Sequence, residues 1–391
     1  MKITTDNNTL TLCLEGRIDT NNAAQTEAEI FAAVDGKTEN IVLDAENLEY
    51  ISSAGLRVLM KLRKSLDKPL PMINVSRDVY DILETTGFTE LLDVRKAYRK
   101  ISTEGMKIIG SGFTGDVYRI DDETVLKVFR PTTSFDMVIS KENEKARNAF
   151  IAGVPTAIPY DIVRVGECYG TVYEMLDAKD LVSVIAEDKE HLDDHIRNFA
   201  RVVKEMHTIK ADPQKFGPVK YESIGALQYL AQVLTDDEMK KLTELYQSIP
   251  DRDTFIHGDC HPGNVMVRDG ELMFIDLGTA GTGHPIFDMV SMHSLFVERA
   301  DNAEAIAASP VLRPFTSEEI KRIWSVFIHT YLDTEDEELV AKAQKQIATL
   351  SLARRLFMVI ALPGSLTPEA LAAMKQKLFA LYDSGLGEIV F

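Results

Sequence analysis

Two domains are expected: an α/β sandwich over residues 1–100, then an α+β domain over residues 105–391 that opens with strands and closes with helices. Three observations predict this. In the first hundred residues apolar strand-like runs alternate with stretches of helical spacing. From Gly105 to Leu176 β-rich runs dominate, whereas residues 289–391 are mostly amphipathic helices. Between the two parts, Val94 to Gly105 is a short charged connector. At 391 residues and 45% hydrophobic content the chain is too long for one ordinary core and rich enough for two.

In the first domain, Leu10 to Asp19 alternates as a strand and Asn22 to Val34 has helical spacing. Asn40 to Asp44 is a buried strand, followed by the apolar run Tyr50 to Met60. Pro71 to Val75 is another strand and Asp78 to Thr86 another helix.

The second domain begins with Gly110-Ser111-Gly112-Phe113-Thr114-Gly115-Asp116-Val117. Alone, G-x-G-x-x-G is weak, since dinucleotide-binding folds use it between a strand and a helix. Here it leads into Val117–Ile120, the polar turn Asp121–Thr124 and then Val125–Phe129, which reads as a hairpin. The glycines therefore lie in a strand-loop-strand flap whose backbone can approach phosphates. Lys127 sits in the following strand, where a phosphate-binding lysine belongs. Such a lysine needs a carboxylate, and Met137 to Phe150 is a polar helical run with Glu142 and Glu144. Two residues apart on a helix, they point about 200° apart, so only one can face Lys127. Tyr169 to Leu176 reads as a strand running into a hinge.

The most informative stretch lies between Phe255 and Phe287. It contains His257-Gly258-Asp259-x-His261-x-x-Asn264, a hairpin turning at Asp269-Gly270, and Asp276 in an Asp-Leu-Gly. An Asp, an Asn five residues on, and an Asp before Gly together suit the placing of a hydroxyl and Mg²⁺ around a nucleotide γ-phosphate. Asp259 would accept the acceptor's proton, and Asn264 and Asp276, at the two ends of the hairpin, would hold metal. Zinc is disfavoured, because Cys260 and His261 are adjacent and no fourth thiol or imidazole stands at a useful spacing. Only eleven residues separate Asp276 from Asp288, with no Ala-Pro-Glu, so a small-molecule acceptor is favoured over a protein one. Asp288 reads as a brace for the catalytic loop.

These motifs resemble the aminoglycoside phosphotransferase/choline kinase family. The resemblance implies a bilobal protein-kinase-like fold, with an N-lobe over about 105–176 and a C-lobe over about 177–391 ending in a helical subdomain. It implies ATP or GTP with Mg²⁺, nucleotide contacts from Gly110, Gly112, Gly115 and Lys127, and adenine contacts from the backbone near Glu174 and Leu176. It favours Glu144 as the partner of Lys127, by its distance to Gly153, with Glu142 on the solvated face. The helices after residue 289, such as Glu318 to Tyr331 and Leu339 to Leu362, would form one wall of the acceptor pocket.

The first domain, through Leu-Glu-Gly-Arg-Ile-Asp-Thr at 14–20, the run from Ile41 to Met60 and Ile82 to Val94, resembles the STAS domain of anti-sigma factor antagonists. In that family a serine at the start of a helix is phosphorylated, in the run Asp-Ser-Ser/Thr-Gly-Leu. Here the run is Ser52-Ser53-Ala54-Gly55-Leu56, which places Ser53 at the phosphoacceptor and Ser52 where the Asp stands. A serine N-cap contributing about 1 kcal/mol is the competing role.

The formal net charge is −18, which disfavours nucleic acid and anionic membranes. It would also suit a cationic acceptor, although solubilising charge on exposed helices is the simpler explanation. Three scattered cysteines imply no disulfide framework. No apolar run approaches a membrane span and no signal peptide is evident, so a cytoplasmic location is expected. The expected function is Mg²⁺-dependent transfer of a nucleotide γ-phosphate to a small-molecule hydroxyl, with a STAS domain for regulation or a protein partner. The alternatives are a nucleotide-sensing scaffold acting on an anti-sigma-like partner, or a kinase that phosphorylates Ser53.

Overall fold

The computed structural model describes residues 1–6, 9–34, 40–112, 114–361 and 367–391. Phe113 of the glycine flap and Leu362 at the end of the expected last-but-one helix lie outside these residues. The chain divides into two compact units, Met1–Ser102 and Thr103–Phe391.

Unit 1 is a five-stranded sheet with helices. Its strands are β1 (Lys2–Asp6), β2 (Thr9–Ile18), β3 (Asn40–Ile51), β4 (Pro71–Val75) and β5 (Asp93–Lys96), in spatial order β1-β2-β3-β4-β5. The first pair is antiparallel and the remaining pairs are parallel. The helices are α1 (Ala23–Ala33), α2 (Ser53–Lys64), α3 (Arg77–Thr85) and the single turn α4 (Phe88–Leu91). Leu12, Leu43, Leu62, Met72 and Leu83 are fully buried in its core. Strand β3 runs seven residues beyond Asp44, because Ala45, Leu48 and Ile51 continue the buried face. Two consecutive exposed residues, Glu46 and Asn47, break the alternation and hide that continuation in the sequence. A Cβ on Gly55 would lie 2.7 Å from both Ile18 and Ile51, so α2 can sit this close to the sheet only with glycine there.

Unit 2 opens with an antiparallel sheet. Its strands are β6 (Lys107–Ser111), β7 (Gly115–Arg119), β8 (Thr124–Phe129), β9 (Pro159–Val165) and β10 (Cys168–Glu174), ordered β9-β10-β8-β7-β6. Helix α5 (Ser140–Ile151) interrupts the strand sequence between β8 and β9. Beyond residue 176 the unit is mainly helical, around a core that includes Phe199, Phe255, Phe274, Phe296 and Phe327, all fully buried. A small hairpin, Val265–Arg268 with Glu271–Phe274, stands out within it. Its turn residues Asp269 and Gly270 both have positive φ, the backbone a two-residue hairpin turn requires. The later helices are Ile286–Phe296, Ser317–Leu332, Glu337–Ala361 and Pro368–Asp383. Among the described residues no helix is long and apolar enough to cross a membrane.

Candidate active site

The glycine flap joins β6 to β7. Gly112 N–H donates to the Gly115 carbonyl (2.8 Å), and Asp116 receives the Ser111 hydroxyl (2.6 Å) and Arg130 (2.8 Å). Gly115 cannot be replaced without cost, since a Cβ there would sit 2.0 Å from the Val128 carbonyl oxygen of β8. The flap is thus drawn tightly onto the strand that carries Lys127.

Lys127 Nζ lies 2.7 Å from Glu142 Oε1 and 3.1 Å from Asp276 Oδ1. This corrects the expectation for Glu144, which is exposed and not the lysine's partner. Glu142, Ala146 and Ala149 are buried on one face of α5, at the i, i+4, i+7 spacing of a helix stripe. Glu144 and Arg147 fall on the opposite, solvated face. Glu142 is 4% exposed, and the Tyr173 hydroxyl donates to it as well (3.3 Å). Burial pushes the Glu142 carboxyl up, against the pull of Lys127. For Lys127 burial works against the charge, yet Glu142 and Asp276 together hold the ammonium above its usual range.

At the end of β10, Glu174 N–H donates to the Ile158 carbonyl (2.9 Å), and Glu174 Oε1 accepts from Arg268 of the hairpin (3.0 Å). Leu176, two residues further on, is buried.

The loop that carries Asp259 is fixed from beneath by Asp288. This fully buried carboxylate accepts the N–H groups of His257 (2.8 Å) and Gly258 (2.6 Å) and a bond from His207 Nε2 (2.9 Å). His207 in turn meets the Tyr331 hydroxyl (2.8 Å). Gly258 has φ +82°, and a Cβ there would strike the Thr279 carbonyl at 2.3 Å. His257 is fully buried; burial lowers its pKa, and the ring lies between the Ile275 carbonyl and the Asp259 N–H. These contacts fit a neutral imidazole that donates through Nε2 and accepts through Nδ1.

Asp259 is thereby presented with its side chain 44% exposed. Burial of the carboxyl acts to raise its pKa, but His261, Arg354 and His257 outweigh this and hold it at about 2. Asn264 Nδ2 donates to the Asp259 carbonyl (2.9 Å) and carboxylate (3.3 Å), which ties together the two ends of the loop. Ile275 N–H donates to the Asn264 carbonyl (2.9 Å), closing the hairpin and setting Asp276 near the loop. Asp276 itself adopts φ +61°, a left-handed backbone uncommon outside glycine and common at functional sites.

Among the described residues no group of three or more His, Cys, Asp and Glu side chains is arranged for a metal. Asp276 and Asn264 offer one carboxylate and one amide oxygen, a donor set that suits Mg²⁺, which takes most of its remaining ligands from phosphate and water. Asp276 is 47% exposed, with Lys127 as its ion-pair partner among the described residues. These residues fit the metal.

Arg354, on helix Glu337–Ala361, carried no signal in the sequence. Its guanidinium donates to the Ser291 hydroxyl (2.6 Å) and the Gly258 carbonyl (3.3 Å), beside Asp259. Nothing local in Leu-Ala-Arg-Arg-Leu distinguishes it from its neighbour Arg355, which pairs with Glu298 (2.9 Å).

In unit 1, Ser52 is the N-cap of α2, its hydroxyl oxygen accepting from Ala54 N–H (3.2 Å) and Gly55 N–H (3.5 Å). The capping role belongs to Ser52, whereas Ser53 is the first helical residue and is exposed.

The site joins a glycine flap, a lysine–carboxylate pair and an Asp-Asn-Asp set. The chain belongs to the phosphotransferase enzyme family, whose model matches residues 105–317, so unit 2 is a phosphotransferase domain of kinase-like fold. The STAS domain model matches residues 1–103. BtrV of Bordetella bronchiseptica, named as a putative anti-sigma factor antagonist, is 38% identical over 99 residues, 24% of this chain and 85% of that protein. Similar solved structures include a choline/ethanolamine kinase family protein from Mesorhizobium loti, at 15% identity and TM-score 0.43. That match covers 71% of this chain and 87% of the other. Another is APH(2″)-IIIa in its GDP and kanamycin complex, at 13% identity and TM-score 0.43, covering 78% and 99%.

Proposed function

We propose that unit 2 transfers the γ-phosphate of ATP or GTP to the hydroxyl of a small molecule with the help of Mg²⁺. The observation that carries this reading is Lys127 Nζ placed between Glu142 and Asp276. One contact fixes the lysine for the α- and β-phosphates, and the other sets it next to the carboxylate suited to metal. When bound, Mg²⁺ would supply charge neutralisation of the triphosphate, held by Asp276 and Asn264. Gly110, Gly112 and Gly115 cover the phosphates, and the backbone at Glu174 and Leu176 receives the base.

Asp259 receives the acceptor. A carboxyl held at about 2 stays ionised at neutral pH and is a weak base. Its main contribution is therefore to accept the acceptor's O–H bond and aim the oxygen in line. The proton passes to it only late, as a loose phosphoryl-transfer transition state allows. Incubation of the purified chain with ATP or GTP, Mg²⁺ and a panel of alcohols tests the proposal. Acceptor-dependent release of ADP or GDP is the expected result, and nucleotide binding without turnover on any alcohol would move the reading to a nucleotide-sensing scaffold.

The STAS domain is proposed as the regulatory or partner-binding part, supported by the likeness to an anti-sigma factor antagonist and by the exposed hydroxyl position of Ser53. Mass spectrometry after incubation with ATP tests whether Ser53 becomes phosphorylated. A Ser53→Ala control that retains the added phosphate would remove Ser53 from the reading.

A further inference from the structure

Arg354 is a fixed cation with no direct ion pair among the described residues, although its charge reaches the Asp259 carboxylate. Its two hydrogen bonds go to neutral oxygens, the Ser291 hydroxyl and the Gly258 carbonyl. Among the described residues no carboxylate lies within ion-pair distance of it, although the neighbouring Arg355 has Glu298. The residue is nevertheless exposed. Free surface arginines usually swing in solvent, whereas this one is anchored to the residue immediately before Asp259. Two of its five N–H donors are engaged, leaving others for a ligand. A fixed guanidinium with free donors is best satisfied by a carboxylate or phosphate, which it can grip through two parallel bonds. Any alcohol that presents its hydroxyl to Asp259 comes within the field of this charge.

We infer that the acceptor is an alcohol bearing an anionic group, carboxylate or phosphate, and that Arg354 is the residue that recognises it. The inference rests on the phosphotransferase reading and runs against the net charge of −18, which by itself would suit a cation. The local charge at the acceptor's seat decides selectivity, because exposed charges more than a Debye length away are screened to little effect.

The test uses matched acceptors in which one hydroxyl group is replaced by or converted to a charged one: glucose, glucuronate and glucosamine, and glycerol, glycerate, glycerol 3-phosphate and 3-amino-1,2-propanediol. Saturation-transfer NMR on the ADP complex and steady-state turnover with ATP and Mg²⁺ are measured for the full chain and for Arg354→Ala and Arg354→Lys. The anionic members of at least one set should bind and turn over best in the wild type. Their advantage over the neutral member should shrink about tenfold or more in Arg354→Ala, as for a lost charged hydrogen bond, and be partly kept in Arg354→Lys. Two results overturn the inference. One is no anionic advantage in the wild type, absence of binding across both sets included. The other is an Arg354→Ala loss that falls equally on anionic and neutral acceptors, as it would if the arginine served the phosphoryl group or only the loop's structure. Failure of the underlying reading shows differently, as a chain that binds neither ATP nor GTP in calorimetry or that binds nucleotide without turnover on any alcohol of the wider panel.

Discussion

Replacing Lys127 with alanine strips the buried Glu142 of its cation, and the consequence can be worked from the contacts. Breaking a buried ion pair from one side costs about 3–5 kcal/mol. Here the Tyr173 hydroxyl still donates to Glu142, and Lys127 is 13% exposed, so water can partly fill the gap. A loss of about 2 kcal/mol remains, and for a unit of this size that is a melting-point drop of about 3 °C. Removing the stranded carboxylate as well, in Lys127→Ala with Glu142→Ala, should restore most of the loss. Lys127→Ala with Glu144→Ala should restore none, since Glu144 lies on the solvated face. The assay is differential scanning calorimetry of the full chain, following the transition of unit 2. The pH dependence has a definite sign. An unpaired Glu142 has a folded-state pKa raised above its unfolded value, so its penalty is fully present only above that raised pKa. That penalty fades as pH falls through the raised folded pKa, and the gap between Lys127→Ala and the wild type should narrow on acidification. Rescue by Glu144→Ala and not by Glu142→Ala would refute the pairing.

Three further outcomes follow from the same geometry. Asp276→Asn should abolish Mg²⁺-dependent turnover, because the amide has no charge to offset the triphosphate; wild-type turnover in a coupled ADP assay would remove Asp276 from the metal site. Gly115→Ala must push a methyl group against the Val128 carbonyl, so the flap should lift and nucleotide affinity fall in calorimetry, with an unchanged Kd as the contrary result. Asp288→Ala leaves two loop N–H groups and His207 without their acceptor, and should destabilise unit 2 by about 3 kcal/mol or more in thermal melts, a loss that a neutral surface position would not show.

The sequence carried the parts of the site whose spacing is set by backbone geometry. Asp259 and Asn264 share one loop, Asp276 follows one hairpin later, and the flap glycines directly precede the strand of Lys127. Such short-range constraints leave a readable spacing. The partner of Lys127 is legible in principle: Ala146 and Ala149 mark the buried face of α5, and Glu142, not Glu144, continues that stripe. Analogy in chain distance to Gly153 pointed the other way, since it ignores which face of the helix is inside. Strand β3 looked shorter than it is because Glu46 and Asn47 interrupt its alternation. In α2, two adjacent serines could each have been the cap, and only the backbone shows that the helix begins after Ser52. Arg354 lay beyond reach for a different reason. It comes to the loop from a helix 96 residues beyond Gly258 in sequence, through packing that no local pattern encodes.

The central claim is that Asp259 performs chemistry on an acceptor positioned beside a bound nucleotide, and the variant Asp259→Asn tests it most directly. Asparagine keeps the size of the side chain, and the loop is braced by Asp288 instead, so the fold should survive. Nucleotide affinity by calorimetry is measured beside steady-state turnover on the best acceptor. Affinity for ATP or GTP should be unchanged and turnover reduced about 10²-fold or more, the range for losing a positioned carboxylate. Equal turnover in Asp259→Asn and the wild type would contradict the claim.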